Sequence, residues 1–182
     1  GGLKCWGWNN YGQLGDGTNM WRNTPVDVSG LTSGVSAIAA GDYHTCALMA
    51  SGGLKCWGDN AFGQLGDGAI TGRATPVDVQ ATAGSSAALA AGNRHTCALT
   101  TSGGVKCWGF NESGQLGDGT TTNRATPVDV SGLTSGVSVL AAGNNHTCAL
   151  TTSGGVKCWG YNGSGQLGDG TTTERKTAVD VK

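Results

Sequence analysis

Apolar positions along this chain come in short bursts and never in long stripes. VSAIAAG, HTCALM, LKCWG and PVDV are brief segments rich in β-formers, partly alternating between apolar and polar letters. Clusters of Gly, Ser, Asn and Asp separate them, as turns would. No stretch keeps a 3.6-residue apolar period long enough for a helix. No apolar run approaches the ~18 residues that a membrane span needs. The pattern therefore predicts an all-β chain without membrane insertion.

The bursts return at a fixed distance. The KCWG cysteine stands at 5, 56, 107 and 158 and the HTC cysteine at 46, 97 and 148, both series spaced by 51. GQLGDG recurs on the same period at 12–17, 63–68, 114–119 and 165–170. A unit of about 50 residues is propeller-blade length, longer than the common helical repeats of 33 or 34. Four short strands per unit make a blade. The expected architecture is all-β, with β-propeller blades of four antiparallel strands and about three and a half blades in 182 residues. Residues 1–182 form a single repeat array, with copies at about 1–33 (the second half of a blade), 34–84, 85–135 and 136–182.

Within a unit, HTCALMASGGLKCWG folds most simply as a hairpin with Ser51 at its tip. Leu48 then faces Leu54 and Cys46 faces Cys56 on one side, while Ala47–Lys55 and Thr45–Trp57 lie on the other. Directly opposed antiparallel residues have Cα atoms roughly 4.5–5.5 Å apart, within disulfide range. The same register pairs Cys97 with Cys107 and Cys148 with Cys158, leaving Cys5 without a partner in the chain. Closing each short loop contributes on the order of 2–3 kcal/mol. Three such bonds imply an oxidising compartment, extracellular or periplasmic. Reduced, half-buried thiols are the competing reading. A zinc site is the weaker one, because His-x-Cys plus Cys supplies three ligands where structural zinc takes four.

Composition narrows the function. The formal net charge is −1, without the basic footprint expected of a nucleic-acid binder. Glycine is the outlier at 34 residues without a collagen period, so it serves tight turns. Sixteen of the 23 charged residues recur in every copy: Lys4, Asp16, Arg22, Asp27 and their equivalents 51, 102 and 153 positions later. A residue present in every blade is most simply part of the scaffold. The GDG aspartates suit Asx turns and lack the several spaced carboxylates of a calcium loop. His44, His95 and His146 read as structural, since no unique nucleophile accompanies them. No cofactor and no catalysis are expected.

The pattern GxxHTCAL, then GxVKCWGxNxxGQLGDGT, then PVDV closely resembles the regulator-of-chromosome-condensation repeat over essentially the whole chain. The resemblance implies four-stranded blades, usually seven to a ring, and a blade shared between chain ends. This chain departs from that plan. It starts in mid-hairpin, so either it is a portion of a longer array or another molecule completes its open ends. Its cysteine pairs are similar to those of secreted bacterial members.

Positions that differ between copies point to the working surface. After WG stand Trp8, Asp59, Phe110 and Tyr161; three positions later come Tyr11 and Phe62; before HTC stand Tyr43 and Arg94; Met20 and Trp21 occupy a loop that reads Ile70-Thr71 in the next copy and Thr121-Thr122 in the third. If all copies share one backbone, these residues fall on one rim, with the aromatic and Arg composition of a protein-binding patch. Tolerant turn positions with half-exposed rings are the bland alternative. Asn111, Asn145 and Asn162 lie in Asn-x-Ser/Thr triplets and are candidate glycosylation sites. The expected function is a non-catalytic extracellular module that binds a protein partner. Alternatives are a structural subunit assembling with further copies of itself and, most weakly, the exchange of nucleotide on a small GTPase that the resemblance implies.

Overall fold

In the computed structural model, which describes residues 2–80 and 85–182, every regular element is a strand. β1 (Lys4–Gly7) and β2 (Arg22–Asp27) pair as a two-stranded sheet. β3 (Val35–Ala40), β4 (His44–Met49), β5 (Leu54–Gly58) and β6 (Arg73–Asp78) form an antiparallel meander of four. The same meander returns as β7 (Ser86–Ala91), β8 (His95–Thr100), β9 (Val105–Gly109) and β10 (Arg124–Asp129). It returns again as β11 (Val137–Ala142), β12 (His146–Thr151), β13 (Val156–Gly160) and β14 (Arg175–Asp180). The copy boundary expected at residue 84 falls outside the described residues. Successive first strands pack on one another, β3 on β7 and β7 on β11, so the sheets fan out as a sector of a propeller. No helix among the described residues is long and apolar enough to cross a membrane.

The central hairpins adopt the register read from the letters. Cys46 opposes Cys56, Leu48 opposes Leu54, Ala47 opposes Lys55 and Thr45 opposes Trp57. The two later hairpins repeat it. Disulfides close Cys46–Cys56, Cys97–Cys107 and Cys148–Cys158, each with Cα atoms 4.1 Å apart, and Cys5 on β1 is free. Each sheet thus has a sulfur face and a tryptophan face, because successive side chains of a strand point to opposite sides.

Packing joins unlike faces of neighbouring sheets. Cys46, Leu48, Leu54 and Cys56 share a core with Ala98 and Trp108 of the next sheet. One blade on, Cys97, Leu99, Val105 and Cys107 meet Ala149 and Trp159. Trp57, Trp108 and Trp159 are fully buried. Each indole seats against a glycine of the preceding unit. A Cβ at Gly66 would lie 2.7 Å from the Trp108 Nε1, and Gly66 also has φ of 71°, so two independent reasons require glycine there.

A polar clasp crosses the same junction. The Trp108 indole N–H donates to the Gln64 carbonyl at 2.9 Å, and the Thr96 hydroxyl donates to it at 2.8 Å. With its own proton spent, Thr96 Oγ1 can only accept from His44 Nε2, 2.8 Å away. His44 is therefore the neutral tautomer protonated on Nε2. Trp159, Thr147, Gln115 and His95 reproduce the clasp one blade on. Burial pushes the His44 pKa down to about 4 and that of His95 to about 3, the latter with added repulsion from His44 and His146.

The remaining recurrent polar residues hold the outer edge and the turn. Lys55 pairs with Asp78 at 2.7 Å across β5 and β6, and Arg73 with Asp67 at 3.1 Å, as their equivalents do in the other units. The Asx turns are present: Asp16 accepts from the Thr18 amide at 2.9 Å and from its hydroxyl at 2.7 Å. Burial pushes the Asp16 and Asp118 carboxyls up. The hydrogen bonds from Thr18 with Arg22, and from Thr120 with Arg124, outweigh it and leave both pKa values lowered. Pro25, Pro76 and Pro127 sit in β2, β6 and β10, at sheet edges where a missing N–H costs least.

Candidate protein-recognition rim

Two turns of each sheet are tied together at one end. The residue after WG donates its amide to the carbonyl of the residue before HT: Asp59 to Tyr43 at 2.8 Å, Phe110 to Arg94 at 2.9 Å and Tyr161 to Asn145 at 2.8 Å. Propeller packing then brings the preceding unit's Gln turn alongside. A Cβ on Gly109 would meet both the Arg94 carbonyl and the Gln64 side chain, which places these segments in contact.

Six of the nine expected rim residues join into one strip. Trp8, Tyr11 and Tyr43 form a triangle of edge-on rings with centroids 5.6, 5.6 and 5.3 Å apart. The Arg94 guanidinium carbon lies 5.5 Å from the Tyr43 ring centre and 5.0 Å from that of Phe62. Phe62 in turn meets Phe110 at 4.9 Å. Such edge-on and cation–π contacts align the rings without burying them. Trp8 and Tyr11 remain 40% and 45% exposed.

The other three stand beside the strip or away from it. Asp59 is tethered below it, its carboxylate accepting from Gln64 Nε2 at 2.8 Å and from the Ala61 amide at 3.2 Å. Trp21 is exposed on its loop and donates its indole N–H to Asn10. Tyr161 lies on the third complete sheet, where the neighbouring turns carry Ser113 and Asn145 in place of rings. A cleft of 350 Å³, lined by Cys5, Trp6, Trp8, Leu14 and Ile38, opens beside Trp8.

Two of the three candidate glycosylation sites are corrected. Asn111 and Asn162 are fully buried. Asn111 Nδ2 donates to Asp118, to the Thr120 carbonyl and to the Thr122 carbonyl at 3.0–3.2 Å, while its Oδ1 accepts from the Leu116 amide. Asn162 is engaged in the same way. A glycan on either nitrogen has no room in the folded turn. Asn145 is half-buried before β12.

Reading the letters alone overlooked the Thr–Gln part of the clasp and the seating of Arg94 between two rings. Thr96 and Gln64 recur on the 51-residue period, which was the available signal. The Arg94 contact had none, because its partners Tyr43 and Phe62 stand 51 and 32 positions away.

These features define a β-propeller sector whose invariant residues build blades and whose variable residues gather on one rim. The family profile described as the regulator of chromosome condensation (RCC1) repeat matches residues 1–48, 51–99 and 102–150. A second profile for the same repeat matches 35–64, 87–115 and 137–166. The chain belongs to the RCC1 repeat family. It is 37% identical over 183 residues to the human probable E3 ubiquitin-protein ligase HERC4, covering 98% of this chain and 17% of that protein. It is 36% identical over 179 residues to the Arabidopsis thaliana ultraviolet-B receptor UVR8, covering 96% of this chain and 40% of that one. Among solved structures, human WBSCR16 superposes with a TM-score of 0.88 at 27% identity, covering 100% of this chain and 48% of that one. Yeast RCC1 (Prp20), solved bound to Kap60, superposes with a TM-score of 0.83 at 21% identity, covering 100% of this chain and 45% of that one. The chain thus spans well under two thirds of the length of these relatives.

Proposed function

We propose that this chain is a non-catalytic protein-binding module of an oxidising compartment, extracellular or periplasmic, engaging its partner through the strip from Trp8 to Phe110. The observation that carries the reading is the strip itself: six variable side chains from three successive sheets meet on one surface, while the repeated residues are spent on scaffold bonds. Aromatic and Arg side chains are the types that dominate interface energetics. Support for the compartment comes from the three disulfides, and support for a non-catalytic role from the burial of His44 and His95 inside the clasps. A relative of the same fold, yeast RCC1, was crystallised with a protein bound. A photo-crosslinker at Phe110 is expected to capture one discrete protein, and Tyr43→Ser with Phe62→Ser to abolish the capture. Capture that survives those changes, or none, overturns the reading.

A further inference from the structure

The cations of this chain fall into two groups. Eight of the eleven Lys and Arg residues are each paired with an aspartate of their own unit. Arg94, Lys176 and Lys182 make no ion pair among the described residues. Of these three, Arg94 is held in place by aromatic rings, its guanidinium lodged between Tyr43 and Phe62. Its Nε is shielded from solvent without a hydrogen-bond acceptor among the described residues.

Building on the rim reading above, we propose that Arg94 is the anchor for a single carboxylate of a protein partner, an Asp or Glu side chain flanked by apolar or aromatic residues. Three physical arguments converge. First, a guanidinium presents several N–H donors in a fixed plane that matches a carboxylate, and the flanking rings hold that plane before the partner arrives, so little ordering remains to be done on binding. Second, the rings on both sides exclude water, which strengthens a charged hydrogen bond formed between them. Third, no acidic group among the described residues forms an ion pair with it. Asp42, beside Tyr43, accepts from Asn93 Nδ2 at 2.7 Å, and Asp59 is committed to Gln64. Those two carboxylates also set the size of the partner's charge. A run of acidic residues or a nucleic-acid backbone would bring further negative charge against them, whereas one carboxylate meets the one cation of the Trp8–Phe110 strip. The rings then offer apolar surface to the residues on either side of it: Trp8 and Tyr11 toward one end, Phe110 toward the other.

The test uses a random linear peptide display library selected against the whole oxidised chain, followed by affinities of the enriched sequences made as synthetic peptides. The expected motif is one Asp or Glu between aromatic or aliphatic residues. Arg94→Gln is expected to weaken those peptides at least tenfold, and Arg94→Lys, which keeps the charge but loses the plane, to give an intermediate loss. Lys176→Gln, which removes an unpaired cation that is not one of the six strip residues, should change affinity less than twofold; a loss equal to that of Arg94→Gln would mean non-specific charge and overturn the proposal. Enriched peptides without an acidic residue that depend on Tyr43 and Phe62 but not on Arg94 overturn the carboxylate anchor and leave the rim reading standing. Peptides indifferent to all three residues, or no enrichment over an Arg94→Gln/Tyr43→Ser/Phe62→Ser chain of unchanged melting temperature, overturn both.

Discussion

Two junctions of this propeller sector are held by the same atoms yet end in different surfaces. Between β3–β6 and β7–β10 the clasp is His44, Thr96, Gln64 and Trp108, and the rim above it is Tyr43, Phe62, Arg94 and Phe110. Between β7–β10 and β11–β14 the clasp is His95, Thr147, Gln115 and Trp159, with distances equal to within 0.2 Å, but the rim positions equivalent to Phe62 and Arg94 are Ser113 and Asn145. The clasp buries apolar area and closes hydrogen bonds, so its residues have little freedom to change. The rim residues lie outside the buried core clusters, so they are freer to be chosen for a partner. Stability and recognition occupy separate shells of one repeat.

That separation makes graded predictions. The largest effect belongs to the clasp. Trp108→Ala and Trp159→Ala should each cost about 3–5 kcal/mol in urea unfolding, and should match each other closely. A marked inequality would show that the two junctions are not energetically equivalent. Next come the staples: Cys97→Ala with Cys107→Ala should cost on the order of 2–3 kcal/mol, and reductant should lower the melting temperature of the parent chain but barely add to the loss in a variant lacking all three pairs.

Acid acts on both junctions. His44 and His95 have folded pKa values of about 4 and about 3 against an ordinary value of 6.5. Between those limits the unfolded chain binds protons that the folded chain refuses, so their contribution is complete above pH 6.5 and is lost as pH falls. The slope approaches about 1.4 kcal/mol per pH unit for each histidine. Asp16, Asp118 and Asp169, all lowered by bonds from Thr and Arg, lose their contribution in the same direction below the ordinary carboxylate range. Thermal melts from pH 7 to pH 4 should therefore fall steadily, and His95→Gln should flatten the profile. A flat parent profile would contradict the neutral-histidine clasp.

The smallest stability effect is expected at the rim. Arg94→Gln should cost less than about 1 kcal/mol, the scale of a partly exposed cation–π contact. A triple change, Arg94→Tyr with Ser113→Phe and Asn145→Arg, moves the arrangement one junction along at equally small cost. Peptides lost on Arg94→Gln should bind that triple variant, and their failure to do so would show that the rim depends on more than the three substituted residues.

Much of this organisation is legible in the letters because it is short-range. The Cys46–Cys56 bond, the Leu48–Leu54 pairing and the opposite placement of Trp57 all follow from folding one fifteen-residue segment about its turn, where strand alternation leaves a single register with sulfur against sulfur. The 51-residue period then copies that answer along the chain. Asn111 and Asn162 show the opposite case. Their sequons are visible as letters, but the turn wraps around both amides and hides them, which only the folded GQLGDG segment reveals.

Arg94 marks the boundary most sharply. Its variability between copies flagged it as a surface residue, and its chemistry was plain. That it sits between Tyr43 and Phe62, and that His44 reaches across to Thr96, depended on how one sheet is rotated and translated against the next. Strand pairing is set by neighbours along the backbone, whereas the meeting of two sheets is set by how whole faces of side chains fill space together, and no local pattern of letters encodes that fit.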